Sequence, residues 1–96
     1  MEIYLGKLEG EYEFELFFEN FLDADVEVNL IMGCGCLTPD VARMKLGGRM
    51  HDIVGVKLDV SNKSVGLHRV GITEVRKKSS GERMPNKELR FVFEKI

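Results

Sequence analysis

Hydrophobic and polar residues alternate strictly over residues 9–16. The polar positions are four glutamates, called here the glutamate ladder: Glu9, Glu11, Glu13 and Glu15. The positions between them are mostly large and apolar. Successive side chains of a strand point to opposite faces, so this spacing places the ladder on one side of an extended strand, whereas a helix would spread it around the axis. The pattern predicts an amphipathic, antiparallel sheet with one face in water.

Five further segments resemble strands around the ladder strand, which continues to about Phe18: residues 3–8, 26–32, 53–60, 65–75 and 89–94. The first of them and the ladder strand are predicted to form a hairpin that turns at Glu9-Gly10. Residues 17–24 fit either a short helical turn or a bulged continuation of the strand, and this alternative stays open. Residues 76–87 lack periodicity and predict a polar loop.

Residues 39–46 carry the signals of one short helix. Thr38 suits an N-cap, Pro39 the first helical position and Asp40 the first turn, while Gly47-Gly48 suits the stop. Six strands and this helix predict an α+β fold whose mainly antiparallel sheet curls into a partly open small barrel. The alternative is a flatter α+β sandwich with the helix on one face.

Length and composition narrow the class of protein. With 96 residues, 44% of them hydrophobic, the chain predicts a single compact domain over 1–96. No apolar run approaches the roughly 20 residues that span a bilayer, and residues 1–11 lack a signal-peptide pattern. A disulfide between Cys34 and Cys36 would close a very small, strained ring, which predicts free thiols. We therefore expect a cytoplasmic protein without membrane contact.

Charge is distributed unevenly along the chain. The net charge is −2, but residues 1–40 hold ten acids and only Lys7 as a base, a net −9, whereas residues 41–96 hold thirteen bases and six acids, a net +7. Such asymmetry means either internal pairing or separate acidic and basic surfaces. Pairing between copies would give a homodimer; otherwise the chain is expected to be a monomer.

The basic residues near the C-terminus form the predicted binding site: Arg76, Lys77, Lys78, Arg83, Lys87 and Arg90. Several phosphate contacts from such a group would bind nucleic acid, and an acidic protein is the other expected partner. No aromatic residue is interleaved to stack a base. Arg76, Lys78 and Arg90 are also predicted to lie opposite part of the glutamate ladder and relieve its repulsion.

The loop before the predicted helix gives a second hypothesis, centred on Cys34, Gly35, Cys36 and Thr38. Free N–H groups and the dipole at a helix N-terminus favour anions and thiolates, so a small-molecule or thiol-dependent activity is the alternative function. The loop has no Walker lysine, no dinucleotide fingerprint and no Cys-x-x-Cys spacing. A tight glycine bend and small buried thiols explain the same residues.

Metal and catalytic motifs are weak throughout. Cys34 and Cys36 with His51 and His68 would supply a Cys2His2 set, but their spacing departs from that of zinc sites. Ladder neighbours lie about 6.5 to 7 Å apart along a strand, too far to hold one cation unaided. No serine sits in a nucleophile-elbow pattern. The sequence predicts no metal, no cofactor and a non-enzymatic binding domain, which uses its basic 76–90 segment or its acidic face.

Overall fold

A computed structural model describes residues 2–96 as an all-β sandwich. Its eight strands are β1 (Glu2–Leu8), β2 (Glu11–Glu19), β3 (Val26–Met32), β4 (Leu37–Pro39), β5 (Arg43–Leu46), β6 (His51–Asp59), β7 (Gly66–Lys78) and β8 (Lys87–Lys95). The five-stranded sheet has the order β1-β8-β7-β3-β5, and the three-stranded sheet the order β2-β6-β4. Over these residues, no helix is long and apolar enough to cross a membrane.

The core lies between the two sheets and follows from alternation. On β2 Leu16 and Phe18 are buried, as are Leu89, Phe91 and Phe93 on β8, while residues between them are less buried. The rings of Phe14 and Phe91 lie 4.8 Å apart, which joins the inner faces of the two sheets. Burial of one large apolar side chain stabilises the fold by about 1.5–3 kcal/mol, so the period-two pattern fixes which face of each strand turns inward.

The predicted α+β barrel with a helix over 39–46 is wrong. The chain leaves β4 at Pro39 and forms β5 over Arg43–Leu46, and the two sheets do not close into a barrel. Met44 and Leu46 stand opposite Val28 and Val26 of β3 and turn toward the core. A helix of this length is marginal without tertiary support. Pairing with β3 buries the same apolar residues, so it overrides the local capping signals.

The predicted hairpin between the first two strands is also wrong. Gly10, with φ of 76°, turns the chain from one sheet to the other. On one side of this turn β1 pairs in parallel with β8, and on the other side β2 pairs with β6. The Val60 N–H donates to the Gly10 carbonyl (2.9 Å), and the Ile96 N–H donates to the Leu8 carbonyl (3.1 Å). β2 is therefore left at the edge of the three-stranded sheet.

The other predicted strands are present, most of them with shifted ends. β3 occupies the predicted residues, whereas β7 extends to Lys78 and takes the first part of the predicted loop over 76–87. The open segment, residues 17–24, contains the end of β2 and then a turn organised by Asn20. The buried Asn20 amide donates to the carbonyls of Ala24 (2.9 Å), Leu46 (3.2 Å) and Gly47 (3.0 Å). One side chain thus holds this turn against the end of β5.

Candidate interaction surface

The outer face of the three-stranded sheet is acidic. Glu11, Glu13 and Glu15 point outward from β2, and β6 places Asp59 opposite Glu11. The Asp40 N–H donates to the Gly55 carbonyl (2.8 Å), and its carboxylate lies over Gly55, which has no side chain to exclude it. These exposed carboxylates form the surface called here the acidic face: Glu11, Glu13, Glu15, Asp40 and Asp59.

Lys57 is the one lysine or arginine within β2, β4 and β6. It stands opposite Glu13, with its Nζ atom 3.8 Å from Glu13 Oε1. Both side chains are largely exposed, so this pair contributes only about 0–1 kcal/mol. Arg76, Lys78 and Arg90 lie in the five-stranded sheet, so the prediction that they oppose the glutamate ladder is wrong. Over residues 2–96, Lys57 is therefore the one ion-pair partner of the acidic face.

Asp59 is held in its charged form by Ser61. The Ser61 hydroxyl and N–H both donate to Asp59 Oδ1, at 2.6 and 2.9 Å. These bonds, the hydroxyl bond first, lower the pKa of the Asp59 carboxyl from its ordinary value. The end of the acidic face nearest β6's C-terminus therefore stays negative to lower pH than an isolated aspartate.

Toward its opposite end, this outer face carries several exposed apolar side chains, with Glu19 and His51 paired beside them. Phe17 and Ile53 are directly paired across β2 and β6, with exposures of 58% and 53%. Phe21 and Met50 lie just beyond these strands and are exposed by 72% and 59%. The His51 ring is 5.5 Å from that of Phe17. Exposed apolar groups that adjoin one another are typical of interaction surfaces, and this apolar end continues directly from the acidic face.

Among the described residues, 2–96, several backbone groups on the free edge of β2 have no hydrogen-bond partner. The Val60 N–H donates to the Gly10 carbonyl, and the Asn20 N–H donates to the Met50 carbonyl. Both bonds extend the β2–β6 ladder, so the even-numbered residues of β2 are the ones that hydrogen-bond to β6. An antiparallel strand directs alternate residues toward its two sides, so odd-numbered residues direct their N–H and C=O groups away from β6. At the far end, the Glu19 carbonyl accepts a bond from Arg76 Nη1 (2.6 Å). The remaining odd positions form the open edge: Glu11, Glu13, Glu15 and Phe17.

A groove runs beside the second half of this open edge, from Glu15 onward. It has a volume of about 610 Å³ and lies between β2 and the strands β1 and β8 of the other sheet. Its apolar lining comes from both sheets and from the 84–85 segment: Ile3, Leu16, Phe17, Phe21, Met84 and Leu89. Glu15, Glu19, Lys87 and the Glu74–Arg76 pair of β7 also line it. Phe17 belongs to both the groove and the outer face, so the two surfaces are continuous.

Arg76 is a structural residue. Its Nε donates to Glu74 Oε1 at 2.7 Å, and the two side chains are exposed by only 20% and 3%. Its Nη1 bond to Glu19 ties β7 to the end of β2. The Glu74 carboxylate thus accepts a hydrogen bond from Arg76, and the Arg76 guanidinium donates to both Glu74 and Glu19. Little of the Arg76 side chain is left exposed to bind a polyanion.

The six basic residues of the predicted site do not share one surface. Lys77 points outward from the five-stranded sheet and pairs with Arg83 through an isolated bridge. Lys78 turns the other way and contacts Glu82 at 3.2 Å, and Lys87 lines the groove. Consecutive residues of a strand alternate between faces, which separates Lys77 from Arg76 and Lys78.

Arg90 lies apart from this group, on the outer face of β8. It donates to Glu88 at 3.1 Å, and this hydrogen bond, with the attraction of the same carboxylate, raises the pKa of the Arg90 guanidinium. Lys77 and Arg83 instead neighbour Glu27 and Asn29, beside Lys45 and Arg43 of β5. Acids and bases are thus mixed across the outer face of the five-stranded sheet.

The cysteine loop differs from its predicted form. Cys34 and Cys36 are joined in a disulfide, contrary to the prediction of free thiols. The Cys36 N–H (3.2 Å) and Lys63 Nζ (3.3 Å) both lie against Cys34 Sγ, while Gly35 is exposed. No helix begins after Thr38, which lies in β4 opposite Lys57. This loop therefore has no helix dipole to favour an anion or a thiolate, and its cysteines do not indicate a reducing compartment.

Potential metal ligands do not gather in the part of the chain that the structure describes. Over residues 2–96, no group of three or more His, Cys, Asp or Glu side chains is arranged to hold an ion. His68 stacks on Phe93 with ring centroids 5.4 Å apart, and its Nε2 lies 2.7 Å from the Ser64 carbonyl oxygen. This histidine therefore has local packing and hydrogen-bonding partners.

One element of this surface was missed by sequence reasoning although its signal is present. Phe17 continues the odd-numbered positions of the glutamate ladder, so strict alternation places it outward. Because Phe17 is apolar, it was instead grouped with residues 17–24, whose structure the sequence left open. The open edge of β2 had no local signal, since it depends on β1 pairing with β8.

Comparison with known proteins identifies the fold. No protein-family model matches the chain, and no curated protein matches it in sequence. Among solved structures, it is similar to the ASH / PapD-like domain 7 of human CEP192, with a TM-score of 0.83 and 11% identity over 99% of this chain and 80% of that one. It is also similar to WR4, a C. elegans MSP family member, with a TM-score of 0.75 and 3% identity over 94% and 91% of the two chains.

A third similarity is to the periplasmic chaperone SfaE, with a TM-score of 0.72 and 3% identity. The match covers 98% of this chain and 53% of that one, so the chain spans about half the length of this chaperone. At these identities the similarity establishes a PapD-like and MSP-like β sandwich. It also replaces the predicted α+β barrel with an all-β architecture.

Proposed function

We propose that this protein is a non-enzymatic interaction domain that binds a basic segment of a protein partner through the outer face of its three-stranded sheet. The observation that carries the proposal is the continuity of two surfaces: the acidic face and the exposed apolar end at Phe17 and Ile53. An apolar contact supplies affinity, whereas opposite charge accelerates association and selects the partner.

The fold is consistent with such a role. Solved structures of similar architecture include domains described as chaperones and as members of the MSP family. Their likeness gives the scaffold alone, so the argument for binding rests on the surface of this chain.

Binding of nucleic acid through the basic C-terminal half has less support. Arg76 is committed to Glu74 and Glu19, and Arg90 contacts Glu88. Lys77 and Arg83 adjoin, but Glu27 lies in the same depression. A polyanion needs several bases that act together, and this sheet presents bases interspersed with acids.

The test is binding of a labelled peptide of alternating lysine and valine, matched in length to β2, measured by fluorescence anisotropy at low and high salt. We expect binding that weakens as salt rises, because exposed charge pairs are screened. The double variant Glu13→Lys/Glu15→Lys should weaken binding by about tenfold or more, equivalent to about 1.4 kcal/mol.

The matched control is Glu88→Lys/Glu94→Lys, which makes the same change of charge on the outer face of β8. Its affinity for the peptide should stay within about twofold of the parent protein, well under 1 kcal/mol. Equal weakening by both double variants would show an effect of net charge alone and contradict the proposal. Tight, salt-sensitive binding of single-stranded RNA or DNA, without binding of the peptide, would favour the basic half.

A further inference from the structure

We infer that the partner binds by strand addition, as an extended segment that pairs with the open edge of β2 and alternates basic and apolar residues. This inference rests on the proposed function and specifies its geometry. The odd-numbered residues of the open edge provide both unpaired backbone groups and outward side chains. A strand added there would therefore meet both at once.

Of the four strands that end the two sheets, β2 is the one suited to accept another. β4 has three residues and includes Pro39, and β5 has four residues. β1 is interrupted by a register shift between Tyr4 and Gly6. Short length, proline and bulges are the usual protections of sheet edges. β2 has nine residues in unbroken register with β6 and none of these protections.

Charge decides what kind of segment fits. Residues directly opposite in adjacent strands lie close enough to interact, so the outward residues of an added strand would adjoin Glu11, Glu13 and Glu15. Lysine or arginine at those positions pairs with the carboxylates. Glutamates on an edge also oppose pairing with neutral or acidic strands. A basic segment is attracted to them instead, so it can pair with this edge.

The groove defines the other half of the segment. Residues that alternate with the bases would point inward from the added strand, between β2 and the strands β1 and β8. Beside residues 15–19 of β2 they meet the apolar lining that includes Ile3, Leu16 and Leu89. Alternating basic and apolar residues therefore match the outer face and the groove respectively.

A second copy of this chain is a poorer occupant. Two β2 edges in antiparallel pairing would set odd-numbered residues opposite odd-numbered residues, which brings glutamates of one copy against those of the other. Like charges directly opposite one another destabilise a sheet. The observations thus favour a basic partner segment over self-association.

The test is amide hydrogen exchange by NMR, without and with the lysine–valine peptide. We expect the amides of Glu11, Glu13, Glu15 and Phe17 to exchange at least about tenfold more slowly in the complex, since each would gain a carbonyl partner. Tyr12, Phe14 and Leu16 already face β6 and should change little. Docking of side chains on the outer face alone would not produce this odd–even contrast.

Two controls isolate the backbone. A peptide with N-methyl groups at alternate residues on its pairing edge should bind about tenfold more weakly or worse, a loss of at least about 1.4 kcal/mol. Glu15→Pro and Glu15→Ala remove the same carboxylate, but proline also removes an edge N–H, and edge strands tolerate proline. Binding should be weaker for Glu15→Pro than for Glu15→Ala.

Each outcome decides the question. Peptide binding without protection of the odd-numbered amides would overturn strand addition and leave the proposed function intact. Absence of peptide binding at low salt would overturn both. Sedimentation of the free protein as a dimer, with these amides already protected, would identify a second copy as the occupant and also overturn the inference. If Glu15→Pro fails to fold, the N-methylated peptide still gives the answer.

Discussion

The acidic and basic halves of the sequence have different fates in the fold. The glutamate ladder is spaced at every second residue, and Glu11, Glu13 and Glu15 emerge together on one face of β2. Arg76, Lys77 and Lys78 are consecutive, and β7 sends Lys77 to the face opposite its two neighbours. In a sheet protein, charges spaced by two build a surface, whereas a dense run of charges is divided between two faces.

The two halves also differ in how many of their charged side chains remain exposed for binding a partner. Arg76 is turned inward and serves the fold, while Lys77, one residue away, is in water. On the acidic side, the carboxylates have Lys57 as the single lysine or arginine in their sheet. Counting charges along the sequence would therefore overstate the basic surface and understate the acidic one.

The comparison is tested most strongly by Arg76→Ala against Lys77→Ala. Loss of Arg76 leaves the Glu74 carboxylate buried without its partner, and we expect a loss of about 3–5 kcal/mol in the free energy of unfolding. Lys77→Ala should change it by no more than about 0.5 kcal/mol. Urea denaturation of the two variants measures the difference. Similar losses in the free energy of unfolding for both variants would contradict the view that Arg76 stabilises the fold while Lys77 does not.

A smaller effect distinguishes the two outer faces. Lys57→Ala should destabilise the protein by up to about 1 kcal/mol, because it removes the pair with Glu13 and the single lysine or arginine of β2, β4 and β6. The loss should shrink as salt is added. Arg90→Ala, on the mixed outer face, should show less dependence on salt. Denaturation of both variants at low and high salt provides the comparison, and equal salt dependence would contradict it.

The smallest predicted effect concerns Asp59. Ser61→Ala removes the hydroxyl donor, so the pKa of the Asp59 carboxyl should rise toward its ordinary value of 3.8. With Ser61 present, the lowered pKa contributes stability that is complete above the ordinary value and is lost as pH falls through the lower folded value. NMR titration of the carboxyl carbon measures this shift. Ser64→Ala is the control and should leave the titration of Asp59 unchanged.

Local pattern was sufficient for some of the fold. Alternating burial is already encoded in residues 11–19 and 26–32, and these segments are strands with the predicted sides facing inward. The outward direction of the glutamates followed from the same period. These features depend on neighbouring residues alone, so the sequence exposes them directly.

Other features depend on partners that local sequence does not identify. Thr38-Pro39-Asp40 and Gly47-Gly48 are sound signals for the ends of a helix. The segment between them nevertheless forms a strand, because Met44 and Leu46 pair with β3. The β1–β2 hairpin failed because β1 pairs with a strand near the other end of the chain. The open edge and its groove are products of that distant pairing, so periodicity could not predict them, although it did predict the outward glutamates of the same surface.

The parallel pairing of β1 with β8 has a consequence for synthesis of the protein. Residues near the N-terminus leave the ribosome first, but the strand that hydrogen-bonds to β1 spans Lys87–Lys95. β1 must therefore wait, with Leu5 and Leu8 uncovered, until nearly all of the described chain has emerged. Contacts of such long sequence separation slow folding and prolong exposure of unpaired strands. A nascent chain halted before residue 87 would contain β2, β6 and β4 but lack the strand that joins β1 to the sandwich.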